Sequence, residues 1–186
     1  MIETRSGDPA DSDERVLIGR PIVFDTPTTI NDILGTYTEI IERGALDGVD
    51  LNDTRLLYNH DQSRIPLARA PKTMTLTLTE SGVEMRAVLA DTEDARSVYT
   101  AVKRGDLDGM SFAFKVPEGG DHYDRETRTR TISKIEKIYE VSVVPFPAYQ
   151  QTSLEARSII TKMNDPKRDQ IKSLLNQIKF KGVNFS

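Results

Sequence analysis

The chain has two histidines, His60 and His122, and no cysteine. Covalent catalysis with an imidazole base therefore has two candidate bases and must take its nucleophile from a hydroxyl. The most suggestive hydroxyl is Ser111, in Gly105-Asp106-Leu107-Asp108-Gly109-Met110-Ser111-Phe112-Ala113-Phe114. There a helical pattern stops at a glycine, an acidic turn follows, and an apolar strand starts with one serine near its beginning. A strand serine is usually inert. Backbone N–H groups in such a turn, however, can hold an oxyanion.

His60 ends the run Leu56-Leu57-Tyr58-Asn59-His60-Asp61, where an apolar strand turns polar. An imidazole there can take a serine proton and return it to a leaving amine. His122 lies between acidic residues in a polar segment, where a solvated histidine is the simpler reading. Strand parity puts Leu56, Tyr58 and His60 on one face and Asp61 on the other. Proximity therefore recommends Asp61 as an orienting acid while parity argues against it. Glu140, in Tyr139-Glu140-Val141-Ser142-Val143-Val144, shares a strand face with Ile138 and Ser142. A carboxylate in such an apolar run is costly without a partner. An edge-strand glutamate is the plain alternative.

The surrounding patterns are mainly β. Arg15 to Asp25 reads as a broken or bulged strand pair, Pro27 to Ile33 as a loop and Thr36 to Ile41 as a strand. Ala45 to Asp53 reads as a turn or short helix. Met74, Leu76 and Leu78 alternate with threonines and return through Ser81-Gly82 into Val83 to Ala90, a hairpin. Asp91 to Lys103 is the clearest helix, with acids in its first turn, Ala95, Val98, Tyr99 and Val102 at helical spacing, and Gly105 as its stop. In the next strand Ser111 and Ala113 form a shallow face where a substrate backbone could approach. Pro117 to Arg128 reads as a mobile loop, and Thr129 to Val144 as one long β-rich run. The expected architecture is mainly β with a few helices, a closed or nearly closed barrel of about seven strands. A C-terminal amphipathic helix is added to it, in which Asp165 caps and Ile171, Leu174, Leu175 and Ile178 form an apolar stripe among basic faces.

Composition narrows the function further. Against 25 basic residues stand 29 acidic ones, a net charge of −4, which gives no global indication of nucleic-acid binding. The polar start has no signal-peptide pattern, and no run of about 18 apolar residues suggests a membrane span. Two histidines and no cysteine argue against a histidine-rich or thiolate metal centre, so no cofactor or metal is expected. The segments divide as a flexible arm over 1–14, a catalytic body over 15–158 and a basic tail over 159–186.

Three segments in order resemble those of the tailed-phage prohead maturation proteases. Leu57 to Asp61 followed by Pro66-Leu67-Ala68-Arg69 resembles the family's histidine motif. Gly105 to Phe114 resembles its nucleophile motif. Glu140 to Pro145 with Pro147-Ala148-Tyr149 and Thr152 resembles its third motif. The likeness covers roughly residues 15–158, and the order of the three is more specific than any one alone. The family is related to herpesvirus assemblin, a dimeric β-barrel serine protease. The resemblance implies Ser111 as nucleophile, His60 as base and Glu140 as third member. Backbone amides near Ser111 are the expected oxyanion donors, and Arg69 is a candidate helper beside them. Assemblin relatives use a second histidine in the third place, and here none lies downstream of His122. Ala113 stands where some members carry glycine.

The implied substrate is the scaffolding segment of the major capsid protein, and the protease itself. The implied setting is the assembling prohead in the host cytoplasm, with a homodimer as the working form and neither nucleic acid nor membrane as partner. Two rivals remain at this point. A noncatalytic β-barrel assembly protein would leave Ser111 unreactive. A carboxylate-pair glycosidase would need two acids facing one cleft and no serine.

Overall fold

In a computed structural model of the chain, residues 2–6, 14–32 and 35–146 are described. They form twelve strands and one α-helix, arranged as three four-stranded sheets. The first sheet runs β1(Ile2–Ser6), β2(Arg15–Val23), β8(Gly82–Leu89), β7(Met74–Thr79). The second runs β10(Asp121–Asp124), β11(Thr129–Ile132), β4(Gly35–Ile41), β3(Thr28–Asp32). The third runs β6(Ala68–Arg69), β5(Arg55–Tyr58), β12(Lys137–Val144), β9(Gly109–Lys115). Helix α1(Glu93–Arg104) connects β8 to β9.

The mainly β class holds, with differences of physical interest. Among the described residues no ladder passes from one sheet to the next, so the ladders do not close the expected barrel, and the strands exceed the expected seven. Thr28–Asp32 is a strand rather than loop, since it pairs antiparallel with β4. The polar segment around His122 is likewise no free loop, because β10 pairs with β11. The long run to Val144 is interrupted at 133–136, where the Ile135 N–H turns to the Ala45 carbonyl. Ile2–Ser6, within the segment expected as a flexible arm, pairs along β2. The expected pair over 15–25 is a single strand with a bulge between Gly19 and Ile22. The C-terminal helix and Pro147, Ala148, Tyr149 and Thr152 lie outside the described residues.

Local rules account for the frame. In β8, Val83, Met85, Ala87 and Leu89 are buried while Glu84 and Arg86 face out, as expected of a strand with one covered face. On its partner strand Met74 is buried but Leu78 is exposed, so the hairpin tip leaves the core. Helix α1 is capped by the Thr92 hydroxyl, which accepts from the Ala95 N–H, and ends on Gly105 in the left-handed conformation. Its buried side chains, Ala95, Val98 and Val102, join Leu17, Met85, Leu56, Val141 and Val143 in one core.

One charged group is wholly enclosed. Arg130 on β11 is 1% exposed and donates to Glu39 Oε2 at 3.0 Å and Asp121 Oδ2 at 2.7 Å. Burial alone disfavours its charge, but Glu39 and Asp121 outweigh that and hold its pKa above the ordinary value. The guanidinium thus ties β10 to β4 across β11. Replacing it with alanine removes from the interior the guanidinium that both acids face. Arg130→Ala should lose about 3–5 kcal/mol of unfolding free energy by urea titration. A loss below about 1 kcal/mol would show that these acids find other partners.

Candidate functional site

The third sheet gathers the candidate residues. Its middle strand, β12, pairs in parallel with β5 and antiparallel with β9. Register places Ser142 beside Leu57 on one side and Ser111 on the other, and Glu140 beside Arg55 and Ala113. Partners across a ladder share a face. One face therefore carries Val141, Val143, Phe112, Met110 and Leu56 into the core. The other carries Glu140, Ser142, Ser111, Ala113 and Leu57.

Two backbone irregularities set this arrangement, and both correct simple strand parity. A bulge in β12 puts Ile138 opposite Phe114 and Glu140 opposite Ala113. Adjacent residues of β9 point to opposite faces, so Ile138 and Glu140 do too, although they are two apart on β12. Ile138 thus enters the core while Glu140 stays with Ser142. The second irregularity follows β5. Asn59 and His60 take left-handed φ values of 52° and 58°. Asn and His tolerate this region better than most residues. The strand alternation ends at Tyr58, and His60 swings to the Glu140 side instead of staying with Leu56 and Tyr58.

The result is a direct contact. His60 Nδ1 lies 2.7 Å from Glu140 Oε1. A carboxylate can only accept, so Nδ1 carries the hydrogen and Nε2 of the neutral ring is left as an acceptor. The second carboxylate oxygen accepts from the Ser142 hydroxyl, and the same hydroxyl accepts from the His60 N–H at 3.2 Å. The Asn59 N–H donates to the Val143 carbonyl at 2.9 Å. Glu140 is 3% exposed and Ser142 wholly buried, whereas the His60 side chain keeps 18% of its surface. The buried acid is satisfied and the imidazole still reaches solvent.

Ser111 sits one strand from this pair, 5% exposed. No hydrogen bond joins it to His60 among the described residues. Ala113, which shares its shallow face, is equally buried. His122 is on the second sheet, exposed, and is not brought to Ser111. Asp61 turns away to cap its own loop through Ser63. Arg69, on β6, is engaged with Asp53 and not with the His60–Glu140 pair. In the Gly105–Gly109 turn, the N–H groups of Gly105, Asp106 and Leu107 all donate to carbonyls of α1, so these three are spent on the helix end.

Two depressions flank the loop after His60. A cavity of about 360 Å³ is lined by Arg55, Leu57, Gln62, Pro66, Lys137 and Glu140. A more apolar one of about 250 Å³ lies between α1 and the loop, against Leu57, Ile65, Leu67, Val98, Ala101 and Leu107. Arg64 borders both and pairs with Asp94 at 3.0 Å.

Over residues 1–166 the sequence matches the family described as caudovirus prohead serine protease. It is also similar to the protein named prohead protease of Enterobacteria phage HK97. The two are 27% identical over 142 residues, which cover 74% of this chain and 61% of that relative. The chain thus spans less than two thirds of the relative's length. No solved structure gives a significant match.

Reading the sequence missed Ser142 as a participant. Ser142 is two residues from Glu140 on the same face, a spacing that gains meaning only once both are seen to be buried. It also missed the cap that shapes the loop carrying His60. The Ser63 hydroxyl and N–H hold the Asp61 carboxyl below its ordinary value of 3.8. A depressed carboxyl stabilises the turn above that value, and the effect fades as pH falls through the lowered one. The protection factor of the Ser63 amide, measured by NMR hydrogen exchange and so corrected for the intrinsic pH dependence of exchange, should therefore be constant from pH 7 to 5 and fall in acid below about 3.8. A fall already near pH 6 would mean that another group controls the turn.

Proposed function

Since the chain belongs to the caudovirus prohead serine protease family, we propose that it is an endopeptidase of capsid maturation in which Ser111, His60 and Glu140 act together. The observation that carries the reading is the 2.7 Å contact of His60 Nδ1 with the buried Glu140 carboxylate, on the sheet face that also holds Ser111. In this mechanism Ser111 Oγ attacks the scissile carbonyl carbon and its proton passes to His60 Nε2. The tetrahedral oxyanion collapses, the C–N bond breaks, and the same proton leaves on the amine. Water repeats the sequence on the acyl-enzyme. Glu140 holds the ring with Nδ1 protonated and stabilises the imidazolium. The gap between Ser111 and His60 closes as substrate binds, in keeping with apo sites whose catalytic hydrogen bonds tighten only in the complex.

The substrate is the scaffolding segment of the major capsid protein, together with the protease itself. The cleavage takes place inside the assembling prohead in the host cytoplasm, with a homodimer as the working form. An assemblin-like barrel arrangement of the three sheets belongs to the same proposal.

The test is co-expression with the coat protein from the same phage, followed by gel analysis of the coat product. A shortened product should appear with the wild-type chain and vanish with Ser111→Ala, whose turnover falls on the order of a millionfold. Unchanged cleavage by Ser111→Ala would refute the mechanism. Glu140→Gln keeps the size of the side chain but turns an N–H toward the ring, and should lower turnover on the order of 10³–10⁴-fold. If Glu140→Gln cleaves at the wild-type rate, the third place belongs to another group.

A further inference from the structure

Ser142 is a buried hydroxyl whose two hydrogen bonds go to the base and the acid. A serine hydroxyl has one donor and two acceptor positions. Here the donor goes to Glu140 Oε2 and an acceptor takes the His60 N–H. The residue has no exposed surface, so water does not compete for either bond. Its register partners are Leu57 on β5 and Ser111 on β9. It therefore stands between the strand that leads to the base and the strand that carries the candidate nucleophile.

These bonds fix two soft degrees of freedom. The terminal torsion of a glutamate is broad, so contact with His60 alone would leave the carboxylate plane free to turn. The Ser142 bond to Oε2 holds that plane with Oε1 toward Nδ1. The backbone at Asn59 and His60 is left-handed at two successive non-glycine residues, which persists only where neighbours hold it. The Asn59 N–H is held by the Val143 carbonyl and the His60 N–H by the Ser142 hydroxyl, at adjacent points of β12. Ser142 is poorly placed to be the nucleophile itself, because its proton is committed to Glu140 and its surface is closed.

We propose that Ser142 is a positioning residue that sets both the carboxylate plane of Glu140 and the backbone of His60. The proposal rests on the assignment of His60, Glu140 and Ser111 made above. It is tested on the purified full chain by the rate at which a fluorophosphonate–biotin probe labels Ser111, and by the NMR signal of the His60 Nδ1 proton. Ser142→Ala should label about 100-fold more slowly, the scale of a small misplacement at a reacting centre. Its Nδ1 proton signal, sharp in the wild type, should broaden or vanish while circular dichroism shows the fold retained. Should Ser142→Ala fail to fold, Ser142→Cys, of similar shape but a weaker hydrogen-bonding group, should show the same losses in smaller degree. Wild-type labelling and an unchanged proton signal in whichever variant folds would overturn the inference. If in that case Ser111→Ala still abolishes labelling, the protease reading survives. If the wild type is not labelled at all, that reading fails, and the proton signal alone then decides the role of Ser142.

Discussion

A carboxylate with almost no contact with water is the constraint on which the site depends. Glu140 lies in the middle strand of a sheet, 3% exposed, where an unpartnered negative charge is strongly unfavourable. The fold meets this by bringing two donors to it, the His60 ring and the Ser142 hydroxyl. Both are needed because a carboxylate has two oxygens to satisfy. The left-handed step at Asn59 and His60 follows from the same need, since an undistorted continuation of β5 would carry the ring to the other face.

The position of β12 explains why the polar row coexists with a hydrophobic core. Strands that pair on both edges and are covered on both faces read as continuous apolar runs, and Val141, Val143 and Val144 fit that pattern. Within the run, one face packs against Phe112, Met110 and Leu56, and the other carries Glu140 and Ser142. The bulge between Ile138 and Glu140 lets one strand serve both purposes, sending Ile138 inward and the acid to the opposite side. On the second sheet Arg130 fills a comparable role, with the sign of the buried charge reversed.

Much of this was legible in the residues, and the exceptions have identifiable causes. Helix α1 carried its cap, its apolar stripe and its glycine stop, all local signals. The hairpin of β7 and β8 was legible through strict alternation. His60, Ser111 and Glu140 could be named because each belongs to a motif whose order matched a family. Sheet partnership could not be read, since β11 pairs in parallel with β4 across about ninety residues and nothing local encodes that choice. Thr28–Asp32 and Asp121–Asp124 are polar enough to look like loops and become strands through their partners. Parity arguments failed at His60 and Ile138 because they assume an unbroken strand, and the site sits where the strands are broken. The role of Ser142 was hidden for another reason: a serine two places from a glutamate has no meaning until both are known to be buried.

The pairing of β12 with β9 has a consequence for quality control. Glu140 and Ser142 share a face by plain alternation, a one-residue offset turns Ile138 to the other, and Ser111 meets them only while β9 keeps its place alongside. A slip of β9 by one residue would exchange every partner and turn Ser111 toward the apolar side. The proposed constellation and the packed interior are thus two readings of one alignment. A copy that pairs its strands wrongly loses the arrangement of Ser111, Ser142 and Glu140 together with its core.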